Sequence, residues 1–288
     1  MMCFSPTSVP DPRCTSKRVR ITIPCGKCAA CLANKRNDWA TRLRMEAKYT
    51  ESAYFITLTY SDENIPYQDL YTEDGEIVGQ TSTLLKTDIQ KFMKRLRKDR
   101  KEKIRYYVVG EYGEHTKRPH YHMLLFNLKL TGVHLEKYLL EKWNKGRIDI
   151  GSVTPSSIMY CTNYIIQKQS YKNSLIQPPF ALMSQGLGKQ YLEKHMDKHK
   201  RDLSRNYIVF EDGQKSRMPR YYRNKIYSKP TQLKQNAKMV EEMEKTLEEK
   251  FLELQQKNPS VNVWNYQQDQ QIKYQEKQDS SLKKCNKI

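Results

Sequence analysis

Apolar positions along the first 170 residues repeat with a period of two in some segments and of about 3.6 in others, which indicates strands alternating with helices. Residues 54–60 are β-branched and aromatic and are apolar on both faces at their start, which is typical of a central strand in a covered sheet. Residues 104–111 and 120–126 predict two further strands, and a short strand is predicted at 147–150. Because the connection 112–119 is short, the second and third strands are expected to be antiparallel neighbours.

Five segments carry apolar residues at helical spacing and predict helices. They cover residues 37–48, 87–98, 134–143, 156–168 and 232–257. Asn37 or Asp38 is expected to cap the first helix, and Thr87 or Asp88 the second. Residues 61–83 are expected to form a loop or a small hairpin. This order of elements predicts an α+β fold with a central antiparallel sheet and packed helices.

Composition predicts three segments along the chain. Residues 1–50 form a Cys-rich N-terminal segment with a basic helix, and residues 51–228 hold the α+β domain. Residues 229–288 begin with an amphipathic helix, so the C-terminal region starts as a helical tail. The Gln- and Lys-rich residues 265–288 at its end are expected to be disordered.

The chain is strongly basic, with 51 Lys and Arg against 32 Asp and Glu, a formal net charge of +19. A charge this large favours a polyanionic partner such as nucleic acid. The sequence shows no apolar run long enough for a transmembrane helix and no secretory leader, so we expect a cytoplasmic protein that does not bind membranes. The odd count of seven Cys argues against a disulfide framework in that compartment.

A pair of histidines carries the first candidate for chemistry. His120 and His122 lie on one face of a predicted strand, because side chains alternate with period two. Glu111 ends the neighbouring strand, and Glu114 in the loop is the alternative carboxylate. Two imidazoles and one carboxylate leave coordination positions open, which suits Mg²⁺ or Mn²⁺ at a phosphoryl-transfer site.

A pair of tyrosines is the candidate nucleophile. Tyr160 and Tyr164 are four residues apart and therefore share one face of a predicted helix. A tyrosine hydroxyl can attack a phosphodiester and form a phosphotyrosyl ester. Lys168, one turn further on, would offer a cation to the phosphate or to the phenolate. Tyr pairs on helices also occur as ordinary packing residues.

Cys25, Cys28 and Cys31 form a CxxCxxC run, a spacing more typical of metal binding than of disulfides. Zn²⁺ would need a fourth ligand, either Cys14 or a distant His. An iron–sulfur cluster would need a suitably placed fourth Cys. The remaining alternative is a loop of free thiols, and in each case we expect a structural role.

Basic residues lie on the polar faces of the predicted helices and directly before the His pair. The candidates for DNA contacts are Arg42, Arg44, Lys94, Arg95, Lys98 and Arg118. Cations of this kind bind phosphates, although they also occur on solvated faces. Tyr221, Tyr222 and Trp264 are expected either to stack on bases or to pack inside the protein.

Together, these motifs resemble those of the HUH endonucleases, in which two His flank a bulky apolar residue, here Tyr121. In detail the chain is similar to the replication initiators of the Microviridae, on the gokushovirus side. The resemblance covers residues 20–225 and is carried by Pro24–Cys31, Phe55–Tyr60, Gly110–Gly113, Arg118–His122, Tyr160, Tyr164 and Ser184–Gly188. It implies an HUH/RRM-like palm that carries the metal, with the nucleophile helix packed over it.

The resemblance further implies rolling-circle replication. Such enzymes nick single-stranded DNA at an origin, leave a 5′-phosphotyrosyl link and a free 3′-OH, and in two-tyrosine members alternate the nucleophiles. That subgroup has Lys directly before the second Tyr and again three residues after it, where this chain has Asn163 and Gln167. We rank Tyr164 above Tyr160 because Lys168 lies one turn after it.

Other functional classes remain open at this point. An HUH transposase or relaxase would share the chemistry, and an HxH metallohydrolase would cut DNA with an activated water. A zinc-stabilised nucleic-acid-binding protein would have neither activity. Because the sequence has no GxxxxGK[ST] phosphate loop, unwinding would come from a host helicase, and a host polymerase would extend the 3′-OH.

Overall fold

The computed structural model describes residues 3–11, 14–16, 18–113, 115–167, 176–260 and 262–285. Its strands are β1 (Thr7–Pro10), β2 (Arg20–Ile23), β3 (Ala53–Tyr60), β4 (Tyr67–Tyr71), β5 (Ile77–Ser82), β6 (Arg105–Tyr112), β7 (Pro119–Phe126), β8 (Gly146–Ser152), β9 (Phe180–Met183), β10 (Tyr207–Val209) and β11 (Lys215–Arg217). Its helices are α1 (Ala29–Tyr49), α2 (Lys86–Lys98), α3 (Gly132–Trp143), α4 (Pro155–Gln167), α5 (Lys189–Arg201), α6 (Arg220–Ile226), α7 (Lys229–Lys257) and α8 (Val263–Cys285).

The chain divides into two compact units. The central unit is Ala40–Tyr191, and the terminal unit combines Met1–Trp39 with Leu192–Ile288. The central unit contains a five-stranded antiparallel sheet in the order β8–β3–β7–β6–β9, together with the small hairpin β4–β5. The predicted α+β fold with a central antiparallel sheet is therefore confirmed. Segment limits at residues 50 and 228 stay a prediction.

The two faces of the central sheet have different tasks. Along β3, the alternate residues Ile56, Leu58 and Tyr60 are buried in the hydrophobic core. Apolar residues of α2 and α3, such as Phe92 and Trp143, complete this core on the same face. The intervening positions of β3 and β7 point to the opposite face. That face is the one that carries the predicted chemistry.

Helix α1 begins earlier than the sequence indicates. It starts at Ala29, so Asn37 and Asp38 lie inside the helix and the prediction that one of them caps it is wrong. The residues from Ala29 to Ala33 are mostly strong helix formers, which explains the extension. Cys31 consequently lies in the first turn of α1 rather than in a loop.

Helix α2 also starts before its predicted caps. Its N-cap is Leu85, so Thr87 and Asp88 belong to the first turn. Asp88 is buried and accepts a 2.8 Å hydrogen bond from the hydroxyl of Tyr60. The carboxylate therefore supports the core instead of the helix end.

The C-terminal region is helical, as predicted at its start. Helix α7 ends at Lys257, directly before Asn258-Pro259. The prediction of disorder over residues 265–288 is wrong for the described part, which forms α8. Gln, Lys and Glu have good helix propensity, and residues 265–288 contain neither Gly nor Pro. Among the described residues, no helix is long and apolar enough to cross a membrane.

Gly146 allows β8 to begin against the central strand β3. Its φ is +150°, a value that favours glycine. A Cβ at this position would lie 2.2 Å from the carbonyl oxygen of Thr59 and 2.4 Å from the amide nitrogen of Ser61. Both atoms belong to the backbone, so relief would require the strand itself to move.

We therefore expect Gly146→Ala to lower the free energy of unfolding by at least about 2 kcal/mol. Urea denaturation followed by circular dichroism measures this loss. Gly79→Ala is the matched control, because a Cβ at Gly79 meets nothing within 4 Å. That control should change the free energy by no more than about 0.5 kcal/mol. Equal unfolding midpoints for the two variants would contradict the prediction.

Candidate active site

The register of β6 and β7 brings the predicted metal ligands together. Glu111 of β6 is paired with His120 of β7, and His122 lies two residues further along. Across β7, Thr57 of β3 is opposite His122. Because side chains two residues apart share a face, both imidazoles lie on the same side as the carboxylate.

The ligand atoms of Glu111, His120 and His122 lie within 4.8 Å of one another. Glu111 Oε1 is 3.0 Å from His122 Nε2 and 3.5 Å from His120 Nε2. His122 Nδ1 is 3.0 Å from the Thr57 hydroxyl, and His120 Nδ1 is 3.1 Å from the Arg118 carbonyl oxygen. Such partners fix the ring orientation and leave Nε2 available for a metal.

The carboxylate and the imidazoles stabilise each other's charge. Burial alone would raise the pKa of Glu111, but hydrogen bonds from His120 and His122 outweigh it and hold the pKa below its usual range. Burial would lower the pKa of His120, yet the hydrogen bond and the charge of Glu111 raise it above the ordinary value. Glu111 is therefore an anion at neutral pH, as a metal ligand must be.

Tyr160 of α4 reaches this cluster. Its hydroxyl donates a 2.6 Å hydrogen bond to Glu111 Oε1. Its ring centroid lies 4.7 Å from that of His122, and the ring also packs edge-on against Phe55. The hydroxyl is thus directed at the site where the predicted ligands meet.

Tyr164, one turn further along α4, lies beside a different residue. Its ring centroid is 6.4 Å from that of Tyr107. Burial raises the pKa of Tyr164, and the Tyr107 hydroxyl offsets only part of that rise. Lys168 and the alternative ligand Glu114 lie outside the described residues.

The start of α4 is fixed by a reciprocal pair of hydrogen bonds that the sequence reading did not single out. The Ser157 amide donates to the Thr154 hydroxyl at 3.1 Å, and the Thr154 amide donates to the Ser157 hydroxyl at 2.8 Å. This arrangement satisfies amides that the helix itself leaves unpaired. A T-x-x-S signal before the helix could have revealed it. The capped end holds the first turns of α4, including Tyr160, in one orientation.

Three of the six cations predicted to bind DNA make contacts within the protein. Arg118 forms a 2.6 Å ion pair with Asp62 and donates to the Tyr60 carbonyl oxygen at 2.6 Å. Arg95 donates to the carbonyl oxygens of Lys142 and Trp143 at the end of α3. Arg42 Nε donates to the Leu187 carbonyl oxygen at 3.1 Å.

The other cationic and aromatic candidates have varied surroundings. Lys94 and Lys98 are exposed on α2, and Arg44 is half-buried on α1. Tyr222 is fully buried, so it packs inside the protein and the alternative of base stacking is wrong for it. The side chain of Trp264 lies outside the described residues. DNA contacts by all six cations stay a prediction.

The segment Ser184–Gly188, a carrier of the family resemblance, is held by a buried carboxylate. The Gly188 amide donates to Glu46 Oε2 at 2.6 Å. Glu46 is fully buried and forms an ion pair with Arg105, which begins β6. Sequence reasoning missed Glu46, because it is an acidic residue on a helix that otherwise looks basic.

The cysteine run gains a partner that the sequence did not indicate. The sulfur atoms of Cys3, Cys25, Cys28 and Cys31 all lie within 4.8 Å of one another. Cys14, the predicted fourth ligand, is an exposed free thiol, and Cys3 takes its place in the cluster. Cys3 lies 22 residues before Cys25, so local spacing could not reveal it.

Comparisons with known proteins add evidence of ancestry. A family model for replication-associated proteins of the ORF2 type matches residues 53–170. The replication-associated protein VP4 of Bdellovibrio phage phiMH2K is 30% identical over 217 residues, which are 70% of this chain and 66% of that protein. The replication-associated protein ORF2 of Spiroplasma virus 4 is 29% identical over 224 residues, which are 71% of this chain and 67% of that one.

A third relative shows the same pattern of partial coverage. The replication-associated protein ORF4 of Chlamydia phage 1 is 27% identical over 236 residues, which are 72% of this chain and 54% of that protein. The chain thus spans about two thirds of the first two relatives and about half of the third. No solved structure matches it. The matched range contains β3, the two histidines, Glu111 and both tyrosines, and on this evidence the chain belongs to the replication-associated protein family of the Microviridae.

Proposed function

We propose that this protein acts in phage DNA replication as an initiator that nicks single-stranded origin DNA through Tyr160 and remains covalently attached to the cut end. One observation carries the proposal: the Tyr160 hydroxyl lies 2.6 Å from the carboxylate of a two-His, one-carboxylate cluster. The names of the relatives support the role in replication. The net charge of +19 suits a polyanionic substrate.

A divalent cation fits the cluster. His120 and His122 would hold it through Nε2 and Glu111 through its carboxylate, while each Nδ1 keeps its present partner. Nitrogen and carboxylate donors with open positions suit Mn²⁺ or Mg²⁺. When bound, the cation would polarise the scissile phosphate and offset the charge that develops on it.

The protein's own residues carry out the transfer. The Tyr160 oxygen forms a bond to phosphorus while the bond between phosphorus and the 3′ oxygen breaks. The phenol proton, held in the hydrogen bond to Glu111, passes to solvent, and the leaving oxygen takes up one proton. The products are a 5′-phosphotyrosyl ester on Tyr160 and a free 3′-OH, so the reaction is balanced without a further reactant.

The geometry favours Tyr160 for the first attack, whereas the sequence ranks Tyr164 first. Tyr164 shares the face of α4 but lies beside Tyr107, away from the carboxylate that Tyr160 contacts. A second attack by Tyr164, which would close the displaced circle, requires that its hydroxyl approach the same phosphate. Host helicase and host polymerase would supply unwinding and synthesis in the host cytoplasm.

A covalent trapping assay tests the proposal. The protein is incubated with 3′-labelled single-stranded DNA that contains the phage origin, with Mn²⁺, with Mg²⁺ or with a chelator. We expect label that stays on the protein through denaturing electrophoresis and that disappears with the chelator. Cleavage without an adduct would replace the nickase by a hydrolase using activated water. Salt-sensitive binding with neither cleavage nor adduct would leave only a nucleic-acid-binding protein.

A further inference from the structure

Four cysteines from separate parts of the N-terminal sequence meet in the terminal unit. Cys25 and Cys28 precede α1, Cys31 lies in its first turn, and Cys3 comes from near the start of the chain. Cys3 Sγ is 3.4 Å from Cys25 Sγ and 3.7 Å from Cys28 Sγ. All four thiols are free and partly buried.

The sulfur positions match the shell of a single tetrahedral ion. Four sulfurs about 2.3 Å from such an ion lie about 3.8 Å from one another. The observed separations of 3.4 and 3.7 Å are close to that value, and all four sulfurs lie within 4.8 Å. A disulfide needs a separation of about 2.05 Å. A cluster of several irons would hold its thiolates farther apart than one ion does.

The backbone around the cluster is arranged to stabilise thiolates. The amides of Lys27 and Cys28 point at Cys25 Sγ, at 3.4 and 3.3 Å. The Cys25 amide points at Cys3 Sγ at 3.2 Å. Gly26 has a φ of +75°, which lets the chain turn tightly enough to direct these amides inward. Amide donors of this kind offset the negative charge of metal-bound thiolates.

We propose that Cys3, Cys25, Cys28 and Cys31 bind one Zn²⁺ ion in a closed structural site. Four protein ligands leave no position for water or substrate, which separates this site from a catalytic one. The ion fastens Cys3 to the first turn of α1 and thereby closes a long loop of the N-terminal segment. This inference is independent of the proposed nicking activity.

Metal analysis of the full-length protein tests the site. Zinc is measured by mass spectrometry in protein purified under reducing conditions, with His120→Ala and His122→Ala in the background so that the other cluster does not contribute. We expect one Zn²⁺ per chain in this background. Adding Cys14→Ser should leave that content unchanged. Adding Cys3→Ser should weaken zinc binding at least about tenfold in competition with a chelator, since one of four ligands is lost.

Two further measurements keep the test sharp if Cys3→Ser folds poorly. Cys3→His restores a fourth ligand and should recover stoichiometric zinc. Cobalt substituted into the background protein should give the intense visible absorption of a tetrahedral thiolate site, altered in Cys3→His. The proposal is overturned if Cys3→Ser and Cys14→Ser bind zinc equally well. It is also overturned if the background protein contains iron and sulfide, or if its reduced thiols bind no added zinc.

Discussion

Tyr160→Phe is expected to lower the rate of covalent adduct formation at least about 10³-fold, because removing a nucleophile leaves the remaining groups with little to accelerate. Only the hydroxyl oxygen is lost. The ring stays in place against His122 and Phe55, so the surrounding packing is preserved. Single-turnover trapping of labelled DNA in Mn²⁺ measures the rate.

Tyr164→Phe is the matched control for this experiment. It removes the same atom from the same helix, one turn away and beside Tyr107. We expect its first nick to stay within about tenfold of the unaltered protein, with at most about 1 kcal/mol lost from stability. If Tyr164→Phe lost the adduct while Tyr160→Phe retained it, the assignment of the first nucleophile would be reversed. Loss of the adduct in both variants would indicate that the two hydroxyls act together.

The second large effect is expected from His122→Ala. The variant removes one of three metal ligands and the 3.0 Å contact with Glu111. Substituting the outer partners of metal ligands typically costs about 10- to 100-fold in affinity, so loss of a ligand itself should weaken Mn²⁺ binding more than about 100-fold. Calorimetric titration with Mn²⁺ measures binding, and the trapping assay should show a parallel loss of nicking.

His134→Ala provides the comparison for that variant. His134 is exposed on α3, at a position remote in sequence from both strands of the site. Its substitution should leave the affinity for Mn²⁺ and the nicking rate unchanged. Equal Mn²⁺ affinity in His122→Ala and His134→Ala would remove the cluster as the metal site, even if nicking itself were found.

Strand patterns made the metal cluster predictable. A period of two places His120 and His122 on one face, and the short connection between β6 and β7 leaves few registers, so Glu111 had to lie near His120. Choosing between Tyr160 and Tyr164 was not possible in the same way. Both share a helix face, and which of them reaches the carboxylate depends on how far α4 is shifted along the sheet, a tertiary property.

Long-range and compositional features explain the other differences. Cys3 carries no periodic signal, whereas Cys14 is nearer in sequence to the CxxCxxC run and was the natural candidate. Arg42, Arg95 and Arg118 were interpreted as phosphate ligands from charge alone, yet each donates to a backbone carbonyl oxygen. Whether a cation faces solvent or a carbonyl group depends on neighbours that only the fold supplies.

Glu46 joins residues that are far apart in the order of synthesis. It contacts Arg105 and the Gly188 amide, and edge strand β9 pairs with β6 only through residues 180–183. Contacts of such high sequence separation form late, because the whole intervening chain must first be available. On the ribosome, therefore, the central sheet is expected to remain incomplete, with one edge of β6 unpaired, until residue 188 has left the exit tunnel. Nascent chains stalled before that point should be much more sensitive to protease than chains stalled well beyond it.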